Sequence, residues 1–307
     1  MQKHIEEAVA EIGKVILGKE HQVRLALACL FAKGHLLIED LPGMGKTMLS
    51  HALAKALGLS YNRIQFTSDL LPADVLGFSV YVKDTGQFHY HSGPIFAQVI
   101  LADEINRATP KAQSALLEAM EERQVTVEGK TRKLPEPFFV IATQNPATQA
   151  GTYPLPESQL DRFLMRIVLG YPDPTAERLL LKGNDRHEMI EGITRCINDE
   201  QLKAIQQEVT KVNATDTLLD YVQKIVEFTR NTPEIAFGLS PRASMALLRS
   251  AQSWAYLEGR NHVIPEDVQA VLPSVVEHRV RGYIQDGGGG TSSISQLLLS
   301  KVDVIDS

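Results

Sequence analysis

The feature that most constrains this 307-residue chain is a short apolar run, His35-Leu36-Leu37-Ile38. It leads into Asp40-Leu41-Pro42-Gly43-Met44-Gly45-Lys46-Thr47 and then into a helical stretch over Thr47–Leu57. An uninterrupted apolar run of this length suits a strand buried on both faces, as in a parallel sheet. A loop of small residues between such a strand and a helix turns backbone N–H groups inward, and the start of the helix favours an anion. The pattern reads as a phosphate loop. Pro42, Gly43, Met44, Gly45, Lys46, Thr47 and Met48 are the candidate nucleotide contacts. Lys46 would reach the β- and γ-phosphates, and the Thr47 hydroxyl would sit on Mg²⁺. Asp40 stands where the strict G-x-x-x-x-G-K-[ST] pattern has its first glycine. Gly-Lys-Ser/Thr by itself recurs by chance in roughly one chain in ten of this length. Strand before and helix after therefore carry the reading, against the alternative of a glycine-rich turn that caps a helix.

Further apolar runs follow at Ile64-Gln65-Phe66, Gln98–Ala102, Phe138–Ala142 and Leu164–Leu169, with a helical pattern over Lys111–Glu122. Strand–helix alternation predicts an α/β domain with right-handed crossovers. After Tyr171-Pro172-Asp173-Pro174 the texture changes. Apolar residues then recur at helical spacing, as in Leu202, Ile205, Val209 and Val212, and Ser240-Pro241 is a helix-start signal. The expected division is an α/β core over 1–172, a helical domain over 173–286, and a flexible linker and tail over 287–307 that opens with Gly287–Gly290.

Composition narrows the function classes. Thirty-one Lys+Arg against 37 Asp+Glu give a formal charge of −6, which argues against a general nucleic-acid coat. Cys29 and Cys196 are too few for a disulfide framework and read as buried, inert thiols. The N-terminus reads as an amphipathic helix, not a leader, and no window approaches 18 apolar residues. No membrane insertion and a cytoplasmic setting are expected. His89 and His91 share a strand face but lack a third ligand nearby in sequence.

Five more polar positions complete the candidate site. Val99–Ala102 ends in Asp103 and Glu104. Parallel strands present their C-termini to the ligand crevice, so Asp103 can hold Mg²⁺ and Glu104 can activate a water. The bland reading is a solvated acidic turn. Asn145, in Thr143-Gln144-Asn145-Pro146, would hold the lytic water or the γ-phosphate, or simply make an Asn-Pro turn. Arg242 is the second residue of the helix begun by Ser240-Pro241, where a cation opposes the helix dipole. A phosphate or any nearby acid would compensate it. Arg162, just before the last strand, would reach a neighbour's γ-phosphate in a ring, or pair with Asp161 or a surface acid.

With these residues in hand, the chain resembles the MoxR family of AAA+ ATPases from about Glu11 to Arg279. The resemblance rests on Leu101–Ala108, Ala115–Val127, Gly93-Pro94-Ile95-Phe96, Ala142–Pro146, Leu155–Phe163 and Leu239–Ala243. It implies a P-loop AAA+ core, a central parallel sheet flanked by helices, followed by a small all-helical lid. It implies that Lys46 and Thr47 form Walker A, and Asp103 and Glu104 form Walker B. Asn145 is then sensor 1, Arg242 sensor 2 and Arg162 the arginine finger. Gly18 falls on the adenine side, and Arg107 is a weaker candidate for a contact across subunits. The resemblance further implies ATP or ADP with Mg²⁺, a homo-oligomeric ring, typically a hexamer, and a partner with a von Willebrand factor A domain. Chaperone-like maturation, metal insertion or remodelling of a client follows from it, with binding of the γ-phosphate pulling the lid toward the core through Arg242. Inserts at about 69–93 and 124–133 resemble those of the wider clade. Phe88 and Tyr90 in the first, and Lys130, Arg132 and Lys133 in the second, are candidate client contacts. Two other classes stay open: a nucleotide-gated scaffold without turnover-driven work, and a DNA-translocating ring, which the charge balance disfavours.

Overall fold

A computed structural model describes residues 1–145, 152–181, 186–233, 235–280 and 293–304. Two helices, α1 (Gln2–Val15) and α2 (Glu20–Phe31), come first. Nine strands follow among the described residues, in chain order: β1 (Leu36–Glu39), β2 (Tyr61–Gln65), β3 (Gly77–Val82), β4 (Gln87–Ser92), β5 (Val99–Asp103), β6 (Gln124–Val127), β7 (Lys130–Lys133), β8 (Phe139–Gln144) and β9 (Met165–Ile167). Five of them form one sheet in the order β2-β5-β8-β1-β9. All neighbours are parallel, with Leu36 opposite both Ile141 and Met165, and Val99 opposite both Phe139 and Tyr61. β5 is buried at every position, as two-sided coverage requires.

Parallel pairing gives the sheet two unlike ends. Glu39, Asp103 and Gln144 close their strands at the carboxyl end. Gly34, His35, Phe163 and Leu164 lie at the amino end, where the Leu164 N–H donates to the His35 carbonyl at 2.8 Å. Helix α3 (Lys46–Ala56) leaves the carboxyl end after β1, and α5 (Pro110–Glu122) leaves it after β5. The 13 residues of α5 span about 20 Å, enough to run back past the amino end.

Both inserts form antiparallel hairpins. β3 pairs with β4, preceded by the short helix α4 (Pro72–Leu76), and β6 pairs with β7. The hairpins touch each other: Ser79 hydrogen-bonds Glu128, and the Arg132 guanidinium lies 3.6 Å from the Tyr90 ring centroid.

The short helix α6 (Glu157–Leu160) leads into β9, and beyond β9 the described residues are helical. After α7 (Pro174–Leu181) and α8 (Arg186–Glu191) come α9 (Asp199–Val209), α10 (Asp216–Asn231), α11 (Pro241–Leu257), α12 (Pro265–Val276) and α13 (Ile294–Lys301). The Ser240 side chain caps α11 by accepting from the Ala243 N–H at 3.1 Å. A continuous apolar cluster joins α1, α2, one sheet face (Leu36, Ile38, Leu101, Ile141) and α9 to α12. Ser253 and Gln206 also donate to the α2 carbonyls of Ala28 and Leu30, at 2.7 and 2.9 Å. The texture change near residue 172 thus marks where strands stop, not where the apolar core stops. A second cluster covers the other sheet face with Leu37, Ile100, Val140 and α5. Helix α13 docks on α12 through Ile294 and Leu298, and Ser295 bonds Glu277. The linker glycines Gly287–Gly290 lie outside the described residues. Among the described residues, no helix is long and apolar enough to cross a membrane.

Cys29 is fully buried, and burial raises its thiol pKa far above the ordinary range. Cys196 departs from expectation: it is only half-buried, because its segment crosses the surface between α8 and α9.

His35 is a buried polar pin at the amino end of the sheet. Its Nδ1 accepts from the Val140 N–H at 3.0 Å, so Nε2 carries the proton and faces the Met120 carbonyl at 3.3 Å. Burial pushes its pKa down to about 4. The unfolded chain takes up a proton below about pH 6.5 that the folded chain refuses until about pH 4, so stability falls as pH drops through that window. His35 alone should cost about 2 kcal/mol between pH 7 and pH 5. Urea unfolding at the two pH values is expected to show this loss in the wild type and a smaller one in His35→Gln.

Candidate functional site

β1 delivers the chain to the carboxyl end of the sheet, and residues 40–45 turn it into α3. Gly43 and Gly45 take φ values of +86° and +91°, a region that L side chains avoid. A Cβ at either position would meet nothing within 4 Å, so both glycines border open space. Helix α3 begins without a side-chain cap and without an acid in its first turn. Its first N–H groups are therefore left for an external anion.

Lys46 is 8% exposed, and its Nζ donates to the Asp40 carbonyl at 2.7 Å and to Asn145 Oδ1 at 3.1 Å. Burial lowers its pKa, against the opposing pull of Asp103, Asp40 and Glu104. Asp103 ends β5. Its Oδ1 accepts from the Thr143 hydroxyl at 2.6 Å, and its Oδ2 accepts from Arg63 Nη2 at 2.6 Å. Glu104 has φ +55° and ψ +48°, a conformation that costs a non-glycine residue about 1–3 kcal/mol and persists where surrounding contacts impose it. Those contacts are present. Its N–H donates to Thr143 Oγ1 at 2.8 Å. Its Oε1 accepts from Asn145 Nδ2 at 3.0 Å, and its Oε2 from Gln65 Nε2 at 3.0 Å and Arg107 Nη1 at 2.9 Å.

Asn145 is therefore wedged between the lysine of the loop and the second acid, 3% exposed, because β8 lies between β1 and β5. Pro146, the last residue of its motif, lies outside the described residues. These groups border a cavity of about 440 Å³, which also includes Pro42, Thr47 and Met48. Met44 packs against the apolar core instead. The cavity fits a nucleotide triphosphate with Mg²⁺: open glycines, uncapped amides and a buried lysine suit the phosphates. Thr47 and Asp103 would supply the one or two oxygens that Mg²⁺ takes from protein.

Sequence reasoning missed Arg63, Gln65 and Thr143. Arg63 and Gln65 lie two apart on β2 and so share a face, a signal present in the sequence. Only the pairing of Gln65 opposite Asp103 brings that face to the acids.

Asp40, the departure from the glycine pattern, has a structural task. Its carboxylate is 7% exposed and accepts from Leu41 N–H at 2.8 Å, Leu169 N–H at 2.8 Å and Gly170 N–H at 2.6 Å. It ties the base of the loop to the segment that leaves β9 for the helical domain. Lys19 adds a second tie, donating to the Tyr171 carbonyl at 2.6 Å. Gly18, expected on the adenine side, lies at this junction, where a Cβ would come within 2.5 Å of Asp173 Oδ2. It does not border the phosphate cavity.

Arg162 and Arg242 are brought together, but not to the loop. Both pair with Glu121, Arg162 Nη2 at 2.9 Å and Arg242 Nη1 at 3.3 Å. They line a different cavity with Gly34 and His35, at the amino end of the sheet. β1 alone separates the two ends by about 13 Å. The expected contact between Arg242 and the phosphates of its own subunit is thus replaced by an ion pair on the opposite end. Arg107, expected to cross to another subunit, holds Glu104 within its own. Of the insert residues, Tyr90 donates to the Leu76 carbonyl and packs under Arg132, so both are engaged locally. Phe88 is 72% exposed, with the half-exposed Tyr81 against its edge. Lys130 and Lys133 lie exposed on β7.

Residues 35–165 match the model of the ATPase family associated with various cellular activities (AAA), and residues 227–296 match an AAA lid domain. The chain is 50% identical to Bacillus subtilis YeaC over 274 residues, covering 89% of this chain and 86% of that one. It is 40% identical to Chaperone MoxR1 of Mycobacterium tuberculosis over 90% of this chain and 75% of the relative. It is 33% identical to Protein MoxR of Paracoccus denitrificans over 89% and 87%. A crystal structure of a Cytophaga hutchinsonii protein superposes with a TM-score of 0.88 at 36% identity, over 99% of this chain and 96% of that one.

The ties of Asp40 give a test in which sequence pattern and structure disagree. Asp40→Gly completes the strict glycine motif, yet it leaves three N–H groups without their acceptor. It should cost about 2–4 kcal/mol of stability and weaken ADP binding about tenfold or more, read by thermal unfolding and by calorimetric titration. Stability and affinity equal to the wild type would show that the ties are dispensable.

Proposed function

The chain belongs to the MoxR-type AAA+ ATPases, and on that premise we propose that it is a Mg²⁺-dependent ATP hydrolase that works as a ring on a client protein. The observation that carries the ring is the placement of the two halves of the site at opposite ends of one sheet. The phosphate loop and its acids sit at the carboxyl end, and Arg162 with Arg242 at the amino end. A subunit of this shape completes a site only when the amino end of one copy meets the carboxyl end of the next. Such head-to-tail contact is heterologous, and it closes into a ring when the rotation from copy to copy returns to its start. A hexamer is the size the family resemblance implies.

Within one site, the α3 amides and Lys46 grip the phosphates, and Thr47 and Asp103 hold the metal, which would draw charge from the phosphate oxygens. Arg63 gives up Asp103 as the nucleotide enters. Glu104 takes the proton of the attacking water, and Asn145 holds that carboxylate in line with Lys46. Arg162 and Arg242 of the preceding copy neutralise the developing charge as planar, delocalised cations. Because Arg242 opens a lid helix and Arg162 sits in the core, losing the γ-phosphate changes contacts to both parts at once. That differential contact is what turns hydrolysis into motion.

The name of MoxR1 as a chaperone supports remodelling or maturation of a client, metal insertion included. Phe88 and Tyr81 are its proposed contacts on this chain, and a von Willebrand factor A domain protein its proposed partner.

Lys46→Ala should abolish ATP binding, and Glu104→Gln should bind ATP without turnover. Lys46→Ala and Arg162→Ala should each be inactive alone. Mixed in equal amounts they should recover up to about a quarter of wild-type turnover, because a quarter of the interfaces then join an intact loop to an intact arginine. A mixture as inactive as its parts would overturn the shared site. Full client activity of the Glu104→Gln protein would favour nucleotide gating over hydrolysis-driven work.

A further inference from the structure

Glu121 occupies a position that local chemistry disfavours. It lies in the last turn of α5, where the helix dipole repels an anion, and that turn contains no basic residue. Its compensation comes from outside the helix. Its two carboxylate oxygens each take a different arginine: Oε2 meets Arg162 Nη2 at 2.9 Å, and Oε1 meets Arg242 Nη1 at 3.3 Å. One arginine belongs to the turn before β9 and the other to the lid helix α11. That turn is fixed in its own right, because the 4%-exposed Arg279 side chain, three residues beyond α12, donates to Asp161 Oδ1 at 2.7 Å and to the Phe163 carbonyl at 2.6 Å.

The pocket around this junction holds about 210 Å³ and is lined by five arginines and a lysine, against the two carboxylates of Glu121 and Asp161. Arg123 and Arg249 in its wall have no carboxylate partner among the described residues. The pocket therefore holds two bridging carboxylates, Glu121 between Arg162 and Arg242 and Asp161 between Arg279 and, at 4.0 Å, Arg242, and more positive charge than the two balance.

We propose that Glu121 is an internal stand-in for a terminal phosphate. In the separate subunit it gathers Arg162 and Arg242 into one pocket; in the ring, the triphosphate of a second copy displaces it. The inference rests on the head-to-tail site proposed above and adds a regulator to it. Carboxylate and phosphate oxygens compete for the same guanidinium forks, and the more highly charged phosphate prevails. A nucleoside diphosphate brings no terminal group to make the exchange, so the pair reverts to Glu121. The side chain thus sets how much ATP is needed before copies join, and it sharpens the distinction between ATP and ADP.

The test uses the full chain carrying Glu104→Gln, so that ATP persists, with ring formation followed by mass photometry across ATP concentrations. Adding Glu121→Gln should lower the ATP concentration for half-maximal assembly about fivefold, the scale on which two exposed ion pairs compete. In the chain with Glu104 intact, half-maximal turnover should shift to lower ATP in the same direction. Adding Glu118→Gln removes an equal charge one turn away on the same helix and should leave the midpoint at the parental value. An unchanged or higher midpoint for Glu121→Gln, or an equal shift for Glu118→Gln, overturns the proposal. Arg162→Ala separates the two levels. If it loses assembly while Glu121→Gln behaves as the parent, only the stand-in role fails. If it assembles like the parent, the head-to-tail site fails and the stand-in with it.

Discussion

All five strands of the central sheet run in one direction, and the rest of the molecule follows from that. Parallel pairing requires every connection to cross back over a sheet face, which buries both faces and makes the inner strands apolar. It also collects every strand's carboxyl end on one edge, where the chain is free to carry polar side chains. Lys46, Asp103, Glu104 and Asn145 meet on that edge although nearly a hundred residues separate the first from the last. β8 lies between the strands that lead to Lys46 and Glu104, so the side chain just beyond it bridges the two.

The charged side chains of the site already have partners. Asp103 is held by Arg63 and Thr143, Glu104 by Gln65, Arg107 and Asn145, and Lys46 by Asn145 and a carbonyl. Leaving any of these groups buried and unpaired would cost about 1–3 kcal/mol, more for a charge. Each partner here is a hydrogen-bonding group that an incoming phosphate or cation could replace, so binding becomes an exchange of partners. The same logic holds at the amino end, where Glu121 satisfies the two arginines.

Core and lid are distinct in topology but share material. One apolar cluster passes from α2 into the lid helices, and two polar ties reinforce the join at its edges. Asp40 anchors the loop to Leu169 and Gly170, and Arg279 anchors α12 to the turn that carries Arg162. The loop and the lid are therefore connected by short, buried, charge-assisted bonds, which tolerate little displacement before they break.

The sequence by itself was enough for the local features. Apolar runs showed the buried strands, Gly43 and Gly45 before Lys46 showed the loop, and Ser240-Pro241 showed a helix start. Each is set by dihedral preference, capping or burial within a few residues. The resemblance to a known family added roles for Asn145, Arg162 and Arg242. What the tertiary structure decided was which side chains face each other. It brought Arg63 and Gln65 to the acids, turned Asp40 from a broken motif into an anchor, engaged Tyr90 with Arg132, and moved Arg242 away from its own phosphate loop to Glu121. None of these could be read from spacing, because each depends on strand order and on helix direction across the sheet. Those are properties of the packed whole, in which residues distant along the chain share one dielectric environment and compete for the same partners.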